Sequence, residues 1–182
     1  MAVKSFFASL FPDQEADSIF DINYERFAHQ GKKGLIFDLD NTLGAWQRDH
    51  LDEEVMNLLD EVRELDLKVG ILSNGRGKNI RSLLEELPYP VIFNASKPRR
   101  QGYREMLKRL GLKPDEVVMI GDQLLTDILG ANRMNMHSIL VRPLDPGYEY
   151  QLIKLNRLLE WMLFSCRDLY FYLKRLSPGS RE

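Results

Sequence analysis

Residues 34–42 read GLIFDLDNT, so a short apolar run leads directly into two carboxylates. An apolar run of this length, bounded by polar residues, is typical of a strand buried on both faces. Asp38 and Asp40 stand two positions apart at its carboxyl end. In an extended chain their side chains would face the same side, and after a turn they could still converge on one group. The stretch therefore predicts a buried strand that presents paired carboxylates at one edge of a sheet.

Beyond this strand, short apolar runs alternate with longer helical patterns. Predicted strands lie at residues 68–72, 91–93, 116–120 and 138–141, and predicted helices at residues 51–65, 78–87, 102–110 and 124–133. Alternation at this pitch predicts a parallel sheet with helices on both faces, connected by right-handed crossovers. We therefore expect an α/β fold with a Rossmann-like core.

Polar side chains follow the other predicted strands as well. Ser73 and Asn74 follow the second strand, Lys97 comes shortly after the third, and Asp122 follows the fourth, with Asp127 close behind. In parallel sheets of this kind the ligand lies beyond the carboxyl ends of the strands. We therefore expect these side chains to share one site with the two aspartates of the first strand.

The chemistry of this set suits hydrolysis of a phosphate monoester. Reaction through a covalent aspartyl-phosphate needs a carboxylate nucleophile, an acid for the leaving alcohol and cations that offset the repulsion between anions. Mg²⁺ prefers hard oxygen ligands, which the aspartates provide. Ser73 and Asn74 can donate hydrogen bonds to phosphoryl oxygens, and Lys97 can neutralise both the nucleophile and the transferring group.

These motifs, at residues 38–42, 73–74, 97–98 and 121–127, resemble in order and spacing the four motifs of the haloacid-dehalogenase (HAD) superfamily of phosphatases. The resemblance covers residues 34–142. The Asp-Asn-Thr sequence together with Gly-Asp-Gln-x-x-Thr-Asp is similar to the YqeG family of subfamily IIIA, which is related to phosphatidylglycerophosphate phosphatases. The opening Phe-Pro-Asp at residues 11–13 and the Ile-Phe-Asp-Ile at residues 19–22 also resemble that family.

The resemblance implies a role for each carboxylate. Asp38 would be the nucleophile and a direct ligand of Mg²⁺. Asp40 would protonate the leaving group, then activate the water that breaks the aspartyl-phosphate, and its backbone carbonyl would bind the metal. Asp122 would bind Mg²⁺ directly, and Asp127 would do so directly or through water.

The resemblance also implies roles for three other motif residues. Lys97 would stabilise the phosphorylated nucleophile, and it completes the predicted catalytic set of Asp38, Asp40 and Lys97. Ser73 would hold a phosphoryl oxygen, in a phosphate-binding set with Asn74 and Lys97. Thr42 would support the loop that carries the two aspartates.

The spacing of the motifs leaves no room for a cap domain. The segments 43–70 and 77–96 each hold one predicted helix and one predicted strand. An uncapped site cannot enclose a small substrate by itself. It suits a large substrate, such as a protein or a lipid headgroup at a membrane, or a partner subunit that closes the site.

Residues 151–176 carry leucines and other apolar residues at alternating steps of three and four, which predicts an amphipathic helix. Such a helix packs on the sheet or forms the seam of a homodimer. Its extra aromatic residues and its excess of Lys and Arg also fit a helix in the headgroup region of an anionic bilayer. We expect a phosphatase domain over residues 1–145, including an N-terminal helical extension, and a C-terminal helix with a short tail over residues 146–182.

Composition narrows the function classes further. The formal net charge of -2 over 182 residues gives no electrostatic basis for nucleic-acid binding. The single cysteine, Cys166, excludes an intrachain disulfide and favours a reducing, cytoplasmic location. The family resemblance, with the uncapped site and the C-terminal helix, implies a Mg²⁺-dependent phosphomonoester hydrolase that acts on phosphatidylglycerophosphate, peripherally bound to the inner face of a membrane. The alternatives are a soluble phosphatase for a protein, nucleotide or sugar phosphate, and a non-catalytic scaffold.

Overall fold

The computed structural model describes residues 7–44, 49–76 and 80–144. Strands in this part of the chain form one six-stranded sheet: β1 (Gln14–Ala16), β2 (Gly34–Phe37), β3 (Lys68–Leu72), β4 (Val91–Ile92), β5 (Val117–Gly121) and β6 (His137–Val141). The spatial order is β1-β6-β5-β2-β3-β4, and every neighbouring pair is parallel. The predicted parallel α/β fold is therefore confirmed.

Helices connect the strands and cover the sheet. They are α1 (Tyr24–His29), α2 (Glu53–Glu64), α3 (Arg81–Glu85), α4 (Arg100–Leu110) and α5 (Leu129–Met134). Short 3₁₀ turns occur at Phe7–Leu10, Ile19–Asp21 and Pro114–Glu116, and a π-helical turn at Leu124–Ile128 leads into α5. Four of the predicted helices are thus present. The predicted helix over residues 124–133 differs because its first part is the π-helical turn.

The core has two halves because successive residues of a strand face opposite sides of the sheet. Leu35 and Phe37 of β2 are fully buried in one apolar cluster with residues of α1, α2 and α3. Ile36, which lies between them, is fully buried in the other cluster with residues of α4 and α5. Burial on both faces explains why β2 is a continuous apolar run rather than an alternating one.

The N-terminal segment contains an edge strand that the residue pattern did not predict. Strand β1 has the polar sequence Gln-Glu-Ala and pairs with β6. Side chains far away in the sequence hold the segment in place. The Asn132 amide donates to the carbonyls of Ser9 and Phe11 at 3.0 and 2.8 Å, and the Asp13 carboxylate accepts from the Ser138 N–H at 3.0 Å. The segment is therefore not purely helical, because tertiary hydrogen bonds form an edge strand without any apolar alternation.

No cap domain interrupts the described part of the chain. Between the loops after β2 and β3, the described residues hold only α2 and the strand β3 itself, and between the loops after β3 and β4 they hold α3 and β4. No helix among the described residues is long and apolar enough to cross a membrane. The predicted helix over residues 151–176 lies outside the described residues. The domain boundary, the homodimer and the membrane contact inferred from that helix remain predictions.

The topology locates the site at the middle of the sheet. Strand β2 lies between β3 on one side and β5 on the other. The chain moves outward from β2 in one direction through β3 and β4, and the strands β5 and β6 lie in the other direction. The crevice at such a switch point, beyond the carboxyl ends of the strands, is where open α/β sheets bind ligands. Most of the motif residues follow β2, β3 and β5, and Lys97 follows the edge strand β4.

Candidate active site

The loop after β2 turns at residues 41–43, directly after the second carboxylate. The Asp38 N–H donates to the Ile120 carbonyl at 2.9 Å, which continues the backbone hydrogen bonds between β2 and β5. The Leu39 carbonyl then accepts from the Gly44 N–H at 3.0 Å, and Asn41 has a φ of 65°. Asparagine is among the residues that best tolerate this left-handed region. Asp38 and Asp40 therefore both precede the turn at residues 41–43, and Asp40 pairs with Gly44 across it.

A buried ion-pair cluster lies at the base of this loop. The Lys97 ammonium contacts the Asp38 carboxylate and lies 2.7 Å from Oδ1 of Asp127, and all three side chains are buried. Burial alone would lower the pKa of Lys97, but the carboxylates of Asp127 and Asp38 more than offset this effect and raise it. Lys97 is therefore held as a cation, and the structure brings together residues from the first, third and fourth motifs.

Charge in this cluster is unbalanced. Burial raises the pKa of Asp38 above its ordinary range; Lys97 opposes the shift, while Asp127 and Asp122 add to it. Three buried carboxylates, those of Asp38, Asp122 and Asp127, thus face one ammonium group. One ammonium does not balance the charge of three buried carboxylates, and uncompensated buried charge is costly, so the cluster favours a further cation.

The residues present fit a divalent cation. Carboxylate oxygens of Asp38, Asp122 and Asp127 lie within 4.8 Å of one another. Oδ2 of Asp38 is buried and has no hydrogen-bond partner among the described residues, which is costly unless another group satisfies it. Hard oxygen donors in such a set suit Mg²⁺. The Asp40 carboxylate is not part of this cluster, so its predicted contribution through the backbone carbonyl remains a prediction.

Asp127 reaches the cluster because the chain forms a π-helical turn at Leu124–Ile128. Its Oδ2 accepts from the Gln123 N–H at 3.1 Å. A Cβ on Gly121 would lie 2.5 Å from Cγ of Asp127, so only glycine allows this approach. Single π-helical turns occur frequently at functional sites. The sequence pattern predicted Asp127 as a site residue, but not the turn that positions it.

Tyr103 supports the same turn from the interior, and the sequence reasoning did not identify it. Its hydroxyl donates to the carbonyl of Thr126 at 3.0 Å, and the carbonyl of Asp127 lies at 3.3 Å. Tyr103 is fully buried on α4, and a Cβ on Gly130 would lie 2.2 Å from the hydroxyl oxygen. A glycine inside a helical pattern is the signal that could have indicated such a close approach.

Asp40 lies outside the ion-pair cluster and interacts with Ser73. The Ser73 hydroxyl donates to Oδ2 of Asp40 at 2.9 Å and accepts from the Gly75 N–H at 2.9 Å. Burial raises the pKa of Asp40, and the hydrogen bond from Ser73 only partly opposes the shift. A raised pKa favours the protonated carboxylic acid. Thr42 is also buried, and its Oγ1 has no hydrogen-bond partner among the described residues.

Asn74 makes its hydrogen bonds to the backbone of Lys97. Oδ1 of Asn74 accepts from the Lys97 N–H at 2.6 Å, and Nδ2 donates to the Lys97 carbonyl at 3.1 Å. The structure therefore brings Asp38, Asp40, Ser73, Asn74, Lys97, Asp122 and Asp127 to one edge of the sheet. Within this set, Asn74 contacts Lys97 and Ser73 contacts Asp40.

Comparison with known proteins identifies relatives of the whole domain. A family model described as HAD-hydrolase-like matches residues 94–143. The probable phosphatase YqeG of Bacillus subtilis is 36% identical over 163 residues, which cover 90% of this chain and 92% of that protein. The chloroplastic phosphatidylglycerophosphate phosphatase 1 of Chlamydomonas reinhardtii is 29% identical over 147 residues, or 76% of this chain and 55% of that protein.

A third relative is the glyceraldehyde 3-phosphate phosphatase of Methanopyrus kandleri. It is 33% identical over 98 residues, which cover 49% of this chain and 42% of that protein. The chain thus spans only about half the length of the Chlamydomonas and Methanopyrus relatives. It spans nearly the full length of the Bacillus protein.

The parallel sheet, the loops at its carboxyl edge and the matching family model define a hydrolase of the HAD superfamily. Within that superfamily the chain belongs to the YqeG family of phosphatases. The resemblance inferred from the four motifs is thereby confirmed, and the chain is an enzyme of the phosphatase class.

Proposed function

We propose that this phosphatase hydrolyses phosphate monoesters through an aspartyl-phosphate formed on Asp38, with Mg²⁺ as its cofactor. The observation that supports the proposal most directly is the convergence of Asp38, Asp122, Asp127 and Lys97 at one buried point. A buried nucleophilic carboxylate needs positive charge close by to accept an anionic substrate. Lys97 supplies part of that charge.

In the first proposed step, a carboxylate oxygen of Asp38 attacks phosphorus and the bond from phosphorus to the ester oxygen breaks. The Asp40 carboxylic acid donates its proton to the leaving oxygen, so that the alcohol departs neutral. The raised pKa of Asp40 supports this role because it increases the protonated fraction. The hydrogen bond from Ser73 orients the carboxyl group that carries the proton.

In the second proposed step, the Asp40 carboxylate accepts a proton from water as the water oxygen attacks phosphorus. The bond to Asp38 breaks, which regenerates its carboxylate and releases inorganic phosphate. When bound by Asp38, Asp122 and Asp127, Mg²⁺ would supply positive charge against the phosphoryl oxygens. Lys97 offsets the charge on Asp38 and on the transferring group throughout both steps.

For the substrate, we favour a lipid phosphate, with phosphatidylglycerophosphate as the first candidate. Two observations support this choice besides the relative of that name. The described part of the chain holds no cap domain over the site. Leu144, whose N–H donates to the Asn41 carbonyl at 3.0 Å, is 45% exposed, so an apolar side chain lies beside the catalytic loop. The second candidate is a small sugar phosphate, which the glyceraldehyde 3-phosphate phosphatase relative favours.

A release assay for inorganic phosphate separates these candidates. The substrates are phosphatidylglycerophosphate in vesicles, glyceraldehyde 3-phosphate and p-nitrophenyl phosphate, each with Mg²⁺ and with excess EDTA. We expect Mg²⁺-dependent release that is fastest with the lipid, and no release from Asp38→Asn. Preference for glyceraldehyde 3-phosphate would overturn the lipid assignment. Equal activity of wild type and Asp38→Asn would overturn the proposed mechanism.

A further inference from the structure

One side-chain amide holds the backbone of Lys97 from two directions. The Lys97 N–H donates to Oδ1 of Asn74 at 2.6 Å, and Nδ2 of Asn74 donates to the Lys97 carbonyl at 3.1 Å. Asn74 is exposed at the edge of the site, yet its amide uses both its acceptor and a donor on this one residue. The two hydrogen bonds link the loop after β3 to the segment between β4 and α4.

That segment lies outside the sheet and the helices, so regular secondary structure does not determine where Lys97 lies. Two residues that precede Lys97 in this segment have positive φ values: Asn94, at 52°, and Ser96, at 58°. Such conformations persist when surrounding contacts hold them. Backbone hydrogen bonds hold the start of the segment: the Asn94 N–H donates to the Gly75 carbonyl and the Ala95 N–H to the Ser73 carbonyl, both at 3.0 Å. The two hydrogen bonds of Asn74 hold Lys97 itself, whose ammonium contacts Asp38 and Asp127.

We propose that Asn74 is a positioning residue, which fixes the backbone from which the Lys97 side chain extends, rather than a ligand of the phosphoryl group. The inference rests on the proposed function, because Lys97 has its role there. The two adjacent residues of the second motif would then have different roles. The Ser73 hydroxyl orients the acid Asp40, and the Asn74 amide orients Lys97. Misplacement of a catalytic group by about 1 Å costs about a hundredfold in rate.

The first measurement is turnover of p-nitrophenyl phosphate with Mg²⁺ by Asn74→Ala. We expect kcat to fall about 10- to 100-fold, as for other residues that support a catalytic group, while the thermal midpoint stays close to that of wild type. Asn57→Ala is the matched control, because Asn57 is an exposed asparagine on α2 and is not one of the site residues. An unchanged kcat in Asn74→Ala would overturn the inference.

A double-mutant cycle with Lys97→Ala separates positioning from direct phosphate binding. Without the ammonium there is nothing for Asn74 to position, so adding Asn74→Ala to Lys97→Ala should change kcat/KM by less than about twofold. If Asn74 contacts the phosphoryl group itself, its removal should cost the same factor in both backgrounds. That additive result would overturn the inference.

Amide hydrogen exchange at Lys97 provides a readout that needs no turnover, and it decides the matter if Lys97→Ala is too slow to assay. We expect the Lys97 N–H to exchange at least about tenfold faster in Asn74→Ala than in wild type, and at the wild-type rate in Asn57→Ala. Unchanged exchange in Asn74→Ala would overturn the inference. The proposed function is tested separately: it would be wrong if Asp38→Asn kept the turnover of wild type.

Discussion

Nζ of Lys97 lies 2.7 Å from Oδ1 of Asp127, although one residue follows β4 and the other follows β5. Both side chains are almost completely buried, and the same ammonium also contacts Asp38. Removing one partner of a buried ion pair is strongly destabilising because the other charge is left uncompensated. Substitutions in this cluster therefore need a stability measurement beside the kinetic one.

Asp38→Asn tests the nucleophile. The amide keeps the shape of the side chain but removes the attacking charge, so Mg²⁺-dependent turnover should fall by several orders of magnitude. Steady-state hydrolysis of p-nitrophenyl phosphate measures the effect. Asp115→Asn, on an exposed residue remote from the site, is the control and should remain fully active. A rate for Asp38→Asn close to that of wild type, with contamination excluded, would refute the covalent mechanism.

Asp122→Ala tests the metal. The Mg²⁺ concentration for half-maximal activity should rise, and EDTA should abolish turnover of the wild type reversibly. Mg²⁺ should also raise the thermal midpoint of the wild type, since a ligand at a hundred times its Kd stabilises the folded state by about 2.7 kcal/mol. The variant should show a smaller rise. Full activity of the wild type in EDTA would exclude the proposed metal site.

Tyr103→Phe tests the support beneath Asp127. The substitution removes the 3.0 Å hydrogen bond to the partly buried carbonyl of Thr126, so the free energy of unfolding should fall by about 0.5–1.5 kcal/mol in urea denaturation. Tyr89→Phe is the matched control, because the Tyr89 hydroxyl is buried and has no hydrogen-bond partner among the described residues. Its stability should be unchanged or slightly higher. An equal decrease in the free energy of unfolding in both variants would show that the hydrogen bond of the Tyr103 hydroxyl does not stabilise the fold.

His137 should make stability depend on pH. Burial lowers its pKa below the ordinary value of 6.5, although Asp13 opposes the shift. As the pH falls below 6.5, the unfolded chain binds a proton that the folded chain still excludes. The free energy of unfolding should therefore not depend on His137 above pH 6.5, and it should decrease as the pH falls below that value. His137→Gln should show a smaller decrease between pH 7.5 and 5.5 in urea titrations, and an equal decrease would contradict the assignment.

The proposed membrane contact can be tested through the C-terminal segment. The basic residues there are replaced together by Gln: Lys154, Arg157, Arg167, Lys174 and Arg175. Each contributes about 1 kcal/mol near an anionic surface, so binding to anionic liposomes should weaken by orders of magnitude. Hydrolysis of p-nitrophenyl phosphate should survive, whereas hydrolysis of phosphatidylglycerophosphate in vesicles should drop. If the wild type neither binds liposomes nor hydrolyses the lipid, the soluble-substrate alternative replaces the lipid proposal.

The strands, their parallel arrangement and the edge that carries the site could be predicted from local patterns. Apolar runs such as residues 34–37 identify buried strands, because burial on both faces requires apolar side chains at every position. Polar residues that follow such runs must meet at one edge when the strands are parallel. Asp38, Ser73 and Asp122 were therefore found without any knowledge of the folded chain.

Which side chains contact each other required the tertiary structure. The pairing of Lys97 with Asp127, the hydrogen bonds of Asn74 to Lys97 and the hydroxyl of Tyr103 beneath Thr126 all join segments that are distant in the sequence. Such hydrogen bonds and ion pairs form only within about 3 Å and in narrow directions. The order of residues in the sequence does not determine distances or directions that closely, whereas the packing of α4 against the central strands does.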